Sequence, residues 1–222
     1  MVKRAIVIAI SVLLALAVAA PIASGQTASH RLGPKDLTEA WWTWALADPS
    51  PLDGSYGVDD PRCEGEFVEG VFFLGGTFGG ATTRTCTVPA KTALFFPVLN
   101  SIFTEEEDAY PEAPKDFVDT ALANGEFSAT LDGEDLKIKR IAPKPFTLIL
   151  LEDNIVPPQV GGPYQHEDCA DPTRCLAISD GLWVYLPQGL KPGEYTVHFG
   201  GTSVRADGTP FSVDVTYNLI VV

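Results

Sequence analysis

From Ser212 to Leu219 apolar and polar side chains alternate strictly, and Ile220 is the first departure before Val221. Val213, Val215, Tyr217, Leu219 and Val221 fall on one side of an extended chain, and Ser212, Asp214, Thr216 and Asn218 on the other. Successive side chains of a strand point to opposite faces, so this pattern demands a sheet with one dry face and one wet face. The segment before it repeats the theme. Tyr195, Val197 and Phe199 alternate with Thr196 and His198, between a Pro192-Gly193 turn and a Gly200-Gly201 pair that reads as a chain break. Leu182 to Leu186 is a further strand. Period-2 text punctuated by turns predicts a mainly β chain, an antiparallel β-sandwich of jelly-roll or Ig-like kind, with one or two short helices.

The middle of the chain adds short apolar runs, Val71 to Leu74, Ala93 to Val98 and Phe146 to Leu151, and a further strand from Arg84 to Val88. Glycine and proline bound them, as expected of buried strands. Pro97 cannot donate to a ladder, which places its run at a strand end or a sheet edge. Asp132-Gly133, between Phe127–Leu131 and Leu136–Ile141, is the signature of a type I′ hairpin.

Two segments have helical spacing. One begins near Pro34, with Asp36 and Glu39 in capping-box spacing, and Pro49 and Pro51 end it. Leu37, Trp41, Trp44 and Ala45 share a face, whereas Trp42 lies off it and is expected to be exposed. The other opens at Pro114, carries Phe117, Val118, Ala121 and Leu122, and closes at Gly125. Residues 152–174 form a long irregular stretch with Pro157, Pro158, Gly161, Gly162 and Pro163, and such loops in compact domains are often functional. No internal repeat is visible.

The first residues set the compartment. Lys3 and Arg4 precede a run from Ala5 to Ala20 that is apolar except for Ser11, and small residues follow. This is the layout of a cleaved secretory signal peptide over residues 1–25, leaving residues 26–222 as a single β-rich domain, secreted or periplasmic, with no membrane span after cleavage. The mature part then has 13 Lys and Arg against 29 Asp and Glu, a net charge of about −16. That acidity excludes nucleic acid and anionic membranes as partners, since both require a basic surface.

Export makes the four cysteines intelligible. An even count in an oxidising compartment reads as disulfides. Cys63–Cys86 and Cys169–Cys175 are the expected pairs, because each brackets a turn-rich segment. A zinc site at His166, Cys169 and Cys175 lacks the paired knuckle of common zinc sites, so no metal ligand is assigned. No cofactor is expected, calcium in the acidic 48–69 loop being the one considered. The EF-hand pattern is absent there, and a solvated loop is the expectation.

Recognisable catalytic motifs are missing: there is no G-x-S-x-G elbow, no H-E-x-x-H and no P-loop. Of the three histidines, His30 lies in the N-terminal arm, His166 sits beside Glu167 and Asp168 in the long loop, and His198 is on a strand face. Arg84 stands inside a buried-looking segment, where a buried guanidinium calls for a carboxylate partner or an anion.

Several stretches together resemble a group of uncharacterised exported bacterial proteins with a tryptophan-rich N-terminal helix and a C-terminal sandwich-like region. They are W-W-T-W at 41–44, V-F-F-L-G-G-T-F at 71–78, R-T-C-T-V-P at 84–89, A-L-F-F-P-V-L-N at 93–100, S-D-G-L-W-V-Y-L-P at 179–187 and P-G-E-Y-T-V-H-F-G-G at 192–201. The resemblance spans most of the mature chain and implies no activity and no catalytic residue.

These observations favour binding over catalysis. The leading expectation is a secreted non-catalytic sandwich that binds an extracellular ligand or protein partner, a glycan among them. Its candidate binding residues are Trp42, Trp183, Arg84, His166 and Glu167. The alternatives are a secreted hydrolase using carboxylates or a histidine of the 152–174 loop, and a structural envelope protein.

Overall fold

The computed structural model describes residues 32–63, 65, 68, 70–104, 112–155, 174–205 and 207–222. The expected signal peptide lies outside these residues, as do His166, Glu167 and Cys169. Nine strands follow in chain order: β1 Val71–Phe73, β2 Gly80–Val88, β3 Ala93–Thr104, β4 Glu126–Leu131, β5 Glu134–Asp135, β6 Ile138–Ile149, β7 Arg174–Leu186, β8 Gly193–Val204 and β9 Pro210–Val221. Helix α1 is Pro34–Ala45 and helix α2 is Glu112–Ala123.

The strands form a four-stranded sheet of order β1-β3-β7-β6 and a five-stranded sheet of order β2-β9-β8-β4-β5. Their inner faces share one core. Leu94, Phe96 and Val184 of the first sheet meet Val197, Phe199, Val215 and Tyr217 of the second, with the Phe96 and Phe199 rings 4.8 Å apart. The outer face of the four-stranded sheet is covered by α1, where Leu37, Trp41 and Trp44 pack with Phe73, Phe95 and Trp183. The order of layers is therefore helix, sheet, sheet.

This layering explains two textures in the sequence. β3 and β7 are covered on both faces, so their text is apolar almost without a break. β9 has one face in the core and one open, and its five inward positions are buried as the alternation requires.

The sheets are not wholly antiparallel as expected. β1 pairs with β3, and β2 with β9, in parallel. The chain runs from β1 in one sheet to β2 in the other and back to β3. That crossover brings β1 and β3 into the same direction, which a tight turn cannot do. Three local expectations are also corrected. Pro97 lies in an interior strand, but at a bulge between Pro97 and Leu99, and beyond the end of β1, so no ladder bond is demanded of it. Gly200-Gly201 does not break the chain: β8 runs through both, paired on one side to β9 and on the other to β4. A Cβ on Gly200 would stand 2.0 Å from the Val213 carbonyl oxygen, and φ there is +143°, so the strand continues because the residue is glycine. The cap of α1 is Gly33 rather than Asp36, its N–H donating to the Asp36 carboxylate at 3.1 Å.

The Asp132-Gly133 hairpin is as expected, with φ of +51° and +85°. The Cys63–Cys86 disulfide is formed and ties the turn Pro61–Cys63 to β2. Cys175 is also disulfide-bonded. No helix among the described residues is long and apolar enough to cross a membrane.

Candidate functional site

The aromatic candidates are buried. Trp42 is 6% and Trp183 2% exposed. The Trp42 indole donates to the Ser179 hydroxyl of β7 at 2.8 Å, which draws it onto the sheet although it lies off the main apolar face. Trp183 is stacked on Phe95, with centroids 4.8 Å apart, and meets Trp41 edge to face at 5.3 Å. Neither offers a ring face to a ligand. The sequence misjudged Trp42 because its long indole still reaches β7 from beside the main apolar face and packs edge to face on Trp41 at 5.0 Å.

Arg84 is fully buried and meets no carboxylate among the described residues. Its Nε donates to the Gly54 carbonyl at 3.0 Å. Its Nη1 donates to the Gly75 carbonyl at 2.6 Å and to the Tyr217 hydroxyl at 2.9 Å. Nη2 has no hydrogen-bond partner among the described residues. The charge instead lies over the Tyr56 and Tyr217 rings, 4.9 and 5.5 Å from their centroids. Burial, with Tyr217 beside it, pushes the Tyr56 hydroxyl far above the usual tyrosine range, so it stays protonated and donates to the Pro51 carbonyl. The expected ion pair is replaced by carbonyl dipoles and ring faces. The network pins the loop at 51–56 and the turn after β1 to β2 and β9.

A second polar network joins α2 to the four-stranded sheet. Asp180 of β7 is fully buried, accepts from Arg140 through both carboxylate oxygens, and accepts from the Gly181 N–H at 2.7 Å. Arg140 reaches on to Asp119 of α2, which also pairs with Lys115. The hydrogen bond to Asp180 holds the Arg140 guanidinium well above its ordinary pKa. The pair is closed and leaves no reacting group free.

The outer face of the five-stranded sheet is chemically richer. Alternation along β2, β9, β8 and β4 sends its polar members outward. Register sets Thr83, Thr216, His198 and Thr130 in one row and Ala81, Asp214, Gly200 and Ser128 in the next. Gly80, Ala81, Gly200 and Gly201 leave a depression of about 290 Å³, edged by Ser128, His198, Thr202, Ser212 and Asp214. His198 Nε2 lies 2.9 Å from Asp214 Oδ1, and both side chains are about half exposed, at 46% and 59%. No serine is hydrogen-bonded to His198 among the described residues, so there is no nucleophile to complete a triad. At the same end of the sheet, Phe78 is 58% exposed. It precedes Gly79, where a Cβ would stand 3.7 Å from the Ser212 carbonyl oxygen. Sequence reasoning passed over Phe78 as part of a glycine-rich turn, and its signal was an aromatic among residues too small to cover it.

Among the described residues no three His, Cys, Asp or Glu side chains converge as a metal cluster. In the acidic 48–69 loop, Asp60 is engaged by Arg62, whose hydrogen bonds lower its pKa to about 2. No protein-family model matches the chain. No curated protein matches it either.

Proposed function

We propose that this chain is an extracytoplasmic, non-catalytic β-sandwich domain that binds a neutral glycan on the open face of its five-stranded sheet. One observation carries the reading: a glycine-floored depression is edged by hydroxyl, imidazole and carboxylate groups, and an exposed aromatic, Phe78, lies two residues before its Gly80. Saccharides present hydroxyls that both donate and accept, together with an apolar C–H face. Asp214 accepts, His198 does either according to its tautomer, and Ser128, Thr202 and Ser212 do both. An aromatic ring suits the C–H face. The net charge of about −16 on residues 26–222 disfavours polyuronates and other acidic polymers, which leaves neutral chains.

Affinity electrophoresis through gels containing neutral polysaccharides tests this. The mature domain is expected to be retarded by at least one of them, and Phe78→Ala and Asp214→Ala to weaken that binding by about tenfold each. Unretarded migration in every gel, or equal retardation of both variants and the parent, contradicts the proposal.

A further inference from the structure

A second cleft lies between α2 and the turn joining β8 to β9, and it shares no lining residue with the polar depression. Its floor is apolar: Phe117 and Ala121 from α2, Val204 from β8 and Phe211 from β9, enclosing about 380 Å³. The Phe117 and Phe211 rings meet edge to face at 6.3 Å, and Val204 is 40% exposed. A volume near the lower end of the usual ~300–1,000 Å³ for small-molecule sites suits a compact ligand.

The rim carries two charges that make no side-chain hydrogen bond or ion pair among the described residues, although Asp116 acts on the neighbouring Lys115 and Arg205 on Asp207 electrostatically. Asp116 of α2 is exposed and makes no hydrogen bond or ion pair among the described residues. The Arg205 guanidinium lies 5.0 Å over the Phe211 ring and has no side-chain acceptor among them. A third rim charge, Asp207, is already engaged by the Thr209 N–H at 2.9 Å and the Thr209 hydroxyl at 2.6 Å. The cleft is thus an apolar floor between an anion and a cation whose hydrogen-bonding atoms are not engaged by other described side chains.

We propose that this cleft binds a free apolar α-amino acid as its zwitterion. The side chain lies on the Phe117–Phe211 floor, the carboxylate meets Arg205 and the ammonium meets Asp116. Charge complementarity selects this occupant. An uncharged apolar ligand would strip water from both charges and replace it with nothing. A purely anionic ligand opposes Asp116 and a purely cationic one opposes Arg205, whereas a zwitterion answers both. The proposal stands apart from the glycan reading, since the residues differ, and Phe78→Ala is expected to leave it untouched.

Calorimetric titration of the mature domain with L-phenylalanine and L-leucine tests it, alongside N-acetyl-L-phenylalanine and L-phenylalaninamide. The two blocked forms lack the cation or the carboxylate, and each is expected to bind about tenfold more weakly or worse. Arg205→Gln should weaken L-phenylalanine by a similar factor and leave the amide unchanged. Asp116→Asn should do the same with the N-acetyl form as its unchanged control. Both side chains are exposed, so a thermal melt matching the parent shows that the fold is kept. Absence of heat with either amino acid, blocked forms that bind as well as the zwitterions, or parent-like affinity in both variants overturns the proposal.

Discussion

Arg84 shows how a charge is held in this core without a counter-charge. Three acceptors take its hydrogen bonds, and two tyrosine rings face the guanidinium. Truncation removes one hydrogen bond from each of the Gly54 and Gly75 carbonyls and the Tyr217 hydroxyl, which keep the Thr82 hydroxyl, the Tyr217 hydroxyl and the Gly75 N–H as their remaining donors. Arg84→Ala is therefore expected to cost about 3 kcal/mol, near one for each acceptor, measured by denaturant unfolding. A loss below about 1 kcal/mol would mean that water enters and replaces the guanidinium. From the sequence, Arg84 was legible as buried, because it sits inside a segment that reads as a buried strand. Its partners were not, because Gly54, Gly75 and Tyr217 come from three separate segments and two of them contribute only backbone. His198 and Asp214 follow the same logic. Alternation points both outward, but only the pairing of β8 with β9 sets them 2.9 Å apart.

At the scale of elements, the signals that survived are periodic or turn-specific: β9, the Asp132-Gly133 hairpin, α1 and α2. The readings that failed involve what covers an element. Trp42 was judged by its place on an isolated helix, yet its indole packs on Trp41 and donates to Ser179 of the covered sheet. Gly200-Gly201 was judged by conformational freedom, yet a central strand with close neighbours needs glycine for lack of space. The parallel pairing of β1 with β3, and of β2 with β9, depends on crossovers between sheets, which no local pattern encodes. The Arg140–Asp180 pair ties β6, β7 and α2 together and gives a test of this layering. Arg140→Met leaves the buried Asp180 carboxylate with only the Gly181 N–H. The expected loss is about 3 kcal/mol of unfolding free energy at neutral pH. Arg140→Met with Asp180→Leu should recover much of it, because the uncompensated charge is gone. No recovery in the double variant would show that the pair is worth more than its charge balance.

For the whole molecule, acidity governs both stability and partners. Asp60, Asp119 and Asp207 all have carboxyl pKa values lowered by hydrogen bonds, from Arg62, from Lys115 and Arg140, and from Thr209 respectively. A depressed carboxyl stabilises the fold fully above its unfolded pKa of about 4 and loses that contribution as pH falls through the folded value. For Asp60 the folded value is about 2. Stability is thus expected to be level with respect to these groups above about pH 4 and to decline from there toward pH 2. Asp60→Asn should lower Tm at pH 7 and lower it less at pH 2, as scanning calorimetry would read. A Tm difference that grows on acidification would contradict the sign.

The open sheet face is where the fold and the proposed function meet: one face of β2, β9, β8 and β4 builds the core, and the other presents hydroxyl, imidazole and carboxylate groups, with the exposed Phe78 just before β2. The most direct test is an amide-resolved NMR titration with an oligosaccharide of whichever neutral polysaccharide retards the domain. Shifts are expected at Phe78 to Ala81, His198 to Thr202 and Ser212 to Asp214, with Asp116 to Ala121 unmoved. Shifts centred elsewhere, or a spectrum unchanged by any such oligosaccharide, would contradict glycan binding on this face.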